Sequence, residues 1–195
     1  MKNALFIFMI LFAVSAKAQH FVLAESGLVP SSDNGAKFIV IEKNGESQKE
    51  LFNQVKGFIV SSYVSPKDVM SENGEEMITL NGVSNGDVEC KKGFGMLSFK
   101  TNYTIVFMFK DGKIRINNPS INSMTAQSMT LGGQLSGLYE LTLTKNSPIL
   151  NGREQIVVFK KDGKTTKGAK ESIESLFNKL VEKAINFKSP TKEKW

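Results

Sequence analysis

Apolar residues recur along the chain with two different periods, and each period predicts a type of secondary structure. A spacing of three to four residues places apolar side chains on one stripe of a helix, whereas a spacing of two fills one face of a strand. The helical spacing occurs over residues 51–63 and again over residues 170–187. Ser47 and Glu50 have the spacing of a capping box, so the first helix is predicted to begin directly after Ser47.

Strand-like runs occupy residues 37–42, 77–80 and 88–91, and two Asn-Gly dipeptides favour hairpin turns between the last two. The clearest hairpin signal is Asp111-Gly112, which separates an aromatic-rich run at 103–109 from a second arm at 113–116.

In that second arm, Ile114 and Ile116 alternate with Lys113 and Arg115. One face of the sheet is therefore predicted to be covered and the other to contact water.

The segment 124–137 is polar and rich in glycine and is predicted to be a loop, with two further strands at 138–143 and 155–159. The order of elements predicts an α+β fold, with helices packed on one face of an antiparallel sheet. We expect a lead-in segment at 19–36, a domain at 37–123, and a C-terminal extension at 124–195 that ends in the long helix.

Residues 1–18 have the three parts of a cleavable signal peptide. Lys2 supplies the positive charge, residues 4–14 form a short apolar core, and Ala16 and Ala18 are the small residues of a cleavage site. Cleavage between Ala18 and Gln19 is therefore predicted. The mature chain is expected to be exported and soluble, either periplasmic or associated with the outer membrane, and no later run is apolar and long enough to span a bilayer.

The composition excludes several kinds of catalytic site. The chain has one histidine, His20, beside the cleavage site, and one cysteine, Cys90, expected to be buried and inert. A disulfide and an ordinary zinc site would each lack required residues, and a Ser-His-Asp triad or a Cys-His dyad would require the terminal His20 to fold back into the site. We predict no catalytic, cofactor-binding or metal-binding residue. The excess of 25 basic over 19 acidic side chains is mild and suits contact with anionic surfaces.

Carboxylates and lysines supply the remaining candidate chemistry. Asp87 and Glu89 are predicted to lie on one face of a strand about 7 Å apart, a spacing compatible with a glycosidase pair or a calcium site, although Lys91 on the same face favours charge pairing. Glu75-Glu76 is the densest acidic pair and is expected to be solvated. A run of lysines leads into the last helix and is expected to be a solvated turn or a contact for an anionic lipid or glycan; it comprises Lys160, Lys161, Lys164, Lys167 and Lys170.

The span 37–122 resembles the domain-of-unknown-function family 4468, exported proteins of Gram-negative bacteria with a TBP-like fold. The features that match are the strand Phe38–Glu42, the helix with Leu51-Phe52 and Phe58-Ile59, and the stretch Tyr103-Thr104-Ile105-Val106-Phe107-Met108-Phe109-Lys110-Asp111-Gly112-Lys113-Ile114-Arg115. The resemblance implies a β-α-β-β-β-β-α arrangement, as in each half of the TATA-binding protein. It implies no catalytic residue, and DNA binding does not follow from the fold.

We therefore expect a binding or accessory module for an envelope component, whether protein, lipid or glycan, with no nucleic acid partner. The binding surface is predicted to be the exposed face of the sheet or the segment 124–137. Two alternatives remain open. One is an enzyme that acts on glycans through carboxylates alone. The other is a carrier that holds an apolar ligand between the helices and the sheet.

Overall fold

The computed structural model describes residues 19–129, 135–147 and 152–188. The predicted signal peptide, Gly132-Gly133 and the last seven residues lie outside these described residues. Within them the chain forms ten strands and three helices. In chain order they are β1 (Phe21–Ala24), β2 (Gly27–Pro30), β3 (Phe38–Glu42), α1 (Gln48–Ser62), α2 (Pro66–Val69), β4 (Met70–Asn73), β5 (Met77–Lys92), β6 (Gly95–Lys110), β7 (Lys113–Asn117), β8 (Ser120–Met129), β9 (Leu135–Thr142), β10 (Glu154–Val157) and α3 (Ala169–Ile185).

The first helix begins where the capping box predicts. The Ser47 side chain accepts a hydrogen bond from the Glu50 backbone N–H, and the Glu50 carboxylate accepts one from the Ser47 backbone N–H at 2.8 Å. That second bond also lowers the pKa of Glu50 below its ordinary value. The apolar stripe that follows is buried, and Ser65-Pro66 lies just beyond the last helical turn.

Strand β6 is the centre of an eight-stranded sheet. Its residues from Gly95 to Met108 pair with β5 on one side. On its other side, Lys100–Thr104 pair with β8 and Phe107–Lys110 pair with β7, so two strands share that edge. β3 adds to β7, β4 adds to β5, and β9 and β10 continue beyond β8. All of these pairs are antiparallel except β9 with β10.

Both long helices cover the same face of this sheet. The Phe52 ring of α1 meets the edge of Phe109 at 5.6 Å, and Phe177 of α3 meets Tyr103 at 5.4 Å. Phe109 and Tyr103 are both odd-numbered residues of β6 and therefore point to the same side. The predicted α+β architecture, with helices on one face of a largely antiparallel sheet, is confirmed.

The two Asn-Gly dipeptides of β5 are not hairpin turns, and that prediction is wrong. β5 runs without interruption from Met77 to Lys92, because it pairs with β6 on both sides of the dipeptides. Gly82 stays in the strand opposite Tyr103, and Gly86 forms part of a bulge with φ +88°. A long neighbouring strand has overridden the local turn preference.

The predicted loop at 124–137 is also wrong for the part that the structure describes. Residues up to Met129 belong to β8, and β9 begins at Leu135. Met124 and Ala126 alternate inward and are buried, and they are two residues apart as a strand requires. The sheet is therefore continuous across residues 123 and 124, the predicted boundary between the domain and the C-terminal extension.

The lead-in segment packs into the fold as a separate hairpin of β1 and β2. Phe21 is fully buried, and its backbone N–H and C=O both bond to the side-chain amide of Asn178 on α3, at 2.9 Å each. One turn earlier on α3, Glu174 accepts the Leu23 N–H at 2.7 Å. The helix thus supplies the hydrogen bonds that a neighbouring strand would give.

Gly82 offers a direct test of how the Tyr103 ring packs between β5 and the helices. A Cβ atom at Gly82 would overlap the Tyr103 ring, which is fixed between Phe177 and Tyr63, so Gly82→Ala should destabilise the protein by about 1–3 kcal/mol. A Cβ atom at Gly95 on β6 would meet the Lys92 carbonyl oxygen at 3.9 Å, an ordinary van der Waals contact, and Gly95 has no positive φ.

Urea unfolding followed by circular dichroism measures both changes. The Gly95→Ala control should keep or slightly raise the midpoint, because it only restricts the unfolded chain. Equal midpoints for Gly82→Ala and the native protein would contradict the packing described here.

Candidate functional site

The face of the sheet opposite the helices is open over β5, β6 and β8, and its central part carries no charge. We define a neutral belt as the central outward residues of these three strands, all half-buried or exposed: Thr79, Asn81, Val83, Asn102, Thr104, Val106, Ser120, Asn122 and Ser123. They alternate along the strands with buried residues such as Leu80 and Tyr103. The prediction of one covered and one wet face is confirmed.

Side-chain hydrogen bonds link the belt across its strands. The Thr104 hydroxyl donates to Asn81 Oδ1 at 2.8 Å and accepts from Asn122 Nδ2 at 3.2 Å. Next to this ladder, Asn102 Nδ2 donates to Ser123 Oγ at 2.7 Å. A bulge in β8 between the partners of Asn102 and Tyr103 brings Asn122 into reach of Thr104. These bonds hold the amide groups in fixed positions while leaving hydrogen-bonding capacity directed to solvent.

Cations lie beyond both ends of the neutral belt. Lys100 lies at one end, and at the other end Lys110, Lys113 and Arg115 surround a cleft of about 380 Å³. We call it the hairpin-tip cleft, because its cations flank the two-residue turn between β6 and β7. The sequence correctly predicts that Lys113 and Arg115 face water.

The predicted carboxylate pair does not share one environment. The bulge in β5 lies between Asn85 and Val88 and includes Asp87, whose carboxylate accepts a hydrogen bond from Ser84 on the helix-covered side. Glu89 instead accepts a hydrogen bond from Ser98 at 2.9 Å on the outward side. The expectation that Asp87 and Glu89 lie on one face is therefore wrong. It assumes a regular strand, whereas the bulge interrupts the alternation of side chains before Glu89.

The other charged candidates have local partners. Glu75 pairs with Lys49 at 3.4 Å, on the first turn of α1. In the lysine run, Lys164 pairs with Asp162 and Lys170 pairs with Glu174, both at 3.9 Å. Lys160 and Lys161 line a separate cleft of about 460 Å³ together with Lys145 and Glu25.

Aromatic side chains fill the space between sheet and helices. Tyr63 at the end of α1 and Tyr103 on β6 share a hydrogen bond of 2.7 Å between their hydroxyls, and burial raises the pKa of both. The sequence places Tyr63 in the stripe of α1 but gives no sign of its bond to Tyr103, since the two lie forty positions apart.

No group of three or more metal-ligating side chains occurs among residues 19–129, 135–147 and 152–188. In the same ranges no helix is both long and apolar enough to cross a membrane.

Comparisons with known proteins give one structural similarity. The chain is similar to a TBP-like protein from Parabacteroides distasonis ATCC 8503, known from a crystal structure at 1.90 Å resolution, with 18% identity, a TM-score of 0.44, and coverage of 77% of this chain and 92% of that chain. No family model matches the sequence. No curated protein matches it. The resemblance to family 4468 therefore stays a prediction.

The buried cysteine yields a test of reactivity. Cys90 is fully buried, and burial raises the pKa of its thiol while the charge of Lys92 offsets only part of the rise. A raised pKa means less thiolate at a given pH. Iodoacetamide at pH 8 should leave the native protein unmodified and label the urea-unfolded chain once, as measured by intact mass. Labelling of both states at the same rate would contradict this assignment.

Proposed function

We propose that this protein is an exported, non-catalytic binding module of the cell envelope and that it binds through the open face of its sheet. The observation that carries the proposal is the neutral belt, an uncharged surface across three strands with hydrogen-bonding groups fixed in place. Binding at such a surface does not require charged groups to lose their hydration, which is a large cost at an interface.

The fixed positions of the side chains in the belt favour binding as well. Asn81, Asn102 and Thr104 are already held by cross-strand bonds, so they lose little conformational freedom when a partner covers them. Apolar contact area comes from Val83, which is 41% exposed, and from Val106, which lies opposite Thr79 on the same face. The mixture of amide, hydroxyl and aliphatic groups suits an uncharged part of a partner.

The two alternative functions have less support. An enzyme that uses carboxylates alone needs two acids that converge in a cleft, whereas Asp87 and Glu89 bond to different partners on opposite sides of β5. A carrier needs a cavity between helices and sheet, whereas the rings of Phe52, Phe109 and Phe177 lie in edge-to-face contacts there.

Export can be tested through the processing site. When the full chain is expressed in a Gram-negative host, we expect N-terminal sequencing of the periplasmic fraction to begin at Gln19. Ala18→Arg should leave the longer precursor, because the cleavage site requires a small residue there. Lys17→Arg lies between the two small positions and should be processed normally. Cytoplasmic retention of the unprocessed native chain would contradict export.

Binding through the open face can be tested with two matched substitutions. Val83 on the neutral belt and Val60 on α1 are both exposed, at 41% and 52%. Val83→Glu places a charge within the belt and should weaken binding at least tenfold, since the carboxylate would lose its hydration at the interface. Val60→Glu adds the same charge on the helical side and should not change binding.

The measurement is co-sedimentation of the mature protein with three probes taken separately: peptidoglycan sacculi, lipopolysaccharide, and phospholipid vesicles. Circular dichroism checks that both variants stay folded. We expect the native protein to bind at least one probe. Binding to none of the three, or an equal loss in Val83→Glu and Val60→Glu, would contradict the proposal.

A further inference from the structure

The hairpin-tip cleft combines an apolar floor with a rim on which three cations outnumber one carboxylate, Glu76. Its volume of about 380 Å³ lies in the range of sites that bury small ligands. Val40 and Met108 are outward residues of β3 and β6, and each lies directly opposite Arg115 of β7 in the register of the sheet. Met108 is 36% exposed, so its thioether is accessible to a ligand.

Two of the rim cations face each other, and two of them have no carboxylate partner within the described ranges. Lys110 and Lys113 lie directly opposite each other across the turn, an arrangement in which like charges repel. Lys113 has a partner in Glu42 at 3.2 Å. Among the residues that the structure describes, no carboxylate forms an ion pair with Lys110 or Arg115.

Arg115 is held in place without a carboxylate. Its guanidinium lies 4.0 Å from the centre of the Phe38 ring, and its Nε donates to Asn117 Oδ1 at 3.1 Å. Stacking on an aromatic ring fixes the plane of the guanidinium and leaves its terminal N–H groups available. These groups can form two parallel hydrogen bonds with a carboxylate or a phosphate.

From this combination we infer that the hairpin-tip cleft binds an anionic amphiphile, an acyl chain whose carboxylate or phosphate group lies against Lys110 and Arg115 while the chain lies on Met108 and Val40. A bound anion would relieve the repulsion between Lys110 and Lys113. The inference rests on the proposed function, because the cleft is the end of the same open face, and it adds the chemical class of the ligand.

Calorimetric titration of the mature protein with dodecanoate and with dodecyl phosphate, each below its micelle concentration, tests the inference. We expect binding of at least one, and the stronger of the two identifies the head group. Dodecyltrimethylammonium, with the same chain and a positive charge, should not bind. Inorganic phosphate should bind at least tenfold more weakly than dodecyl phosphate, because it gains nothing from the apolar floor.

Two variants separate the contributions of rim and floor. Lys110→Glu should weaken binding at least tenfold while leaving the melting temperature of the free protein equal or higher, since the new carboxylate faces Lys113. Met108→Gln should weaken binding of the amphiphiles but not of inorganic phosphate. Lys100→Glu on the same strand, about 34 Å away, should leave binding unchanged.

No binding of either amphiphile, or equal binding of dodecyl phosphate and inorganic phosphate, would overturn the inference. So would equal losses in Lys110→Glu and Lys100→Glu. These failures differ from failure of the proposed function: if Val83→Glu still abolishes envelope binding while dodecanoate and dodecyl phosphate fail to bind, the open face is a binding surface and only the ligand class is wrong.

Discussion

The register of strand β6 is the constraint on which the rest of the structure depends. This one strand pairs with β5 on one edge and with both β8 and β7 on the other, so its alternation is imposed on three neighbours. A slip of one residue would expose the aromatic residues of its inner face, among them Phe99, Tyr103 and Phe107, and bury Lys100 and Lys110. The free-energy cost of exposing these aromatic side chains and burying the lysines determines which face the helices cover.

Because the helices cover only one face, stability and the proposed binding depend on different residues of the same strands. Tyr103 and Phe107 are buried against helices, while Thr104 and Met108 next to them in sequence face outward. A change on the outward face therefore removes little buried area and can alter binding without unfolding the protein. This separation makes the proposed binding surface testable by single substitutions.

Local signals in the sequence predict the helices, the Asp111-Gly112 hairpin and the outward direction of Lys113 and Arg115. They fail where a distant strand decides the structure. The Asn-Gly dipeptides of β5 have the chemistry of turns but stay extended because β6 pairs with both sides of them. The ladder from Asn81 to Thr104 to Asn122 depends on the register of three strands and on a bulge, and no local pattern encodes either.

The most direct test of this account measures the solvent exposure of individual methionine methyl groups. In the protein from Gln19 onward, labelled with ¹³C-methyl methionine, a soluble paramagnetic gadolinium chelate broadens the NMR signals of exposed methyl groups. Met96 and Met108 are outward, 56% and 36% exposed, whereas Met124 points into the core and is 2% exposed. We predict strong broadening for Met96 and Met108 and little for Met124. Protection of Met108 equal to that of Met124 would mean that the face is covered in solution and would contradict the account.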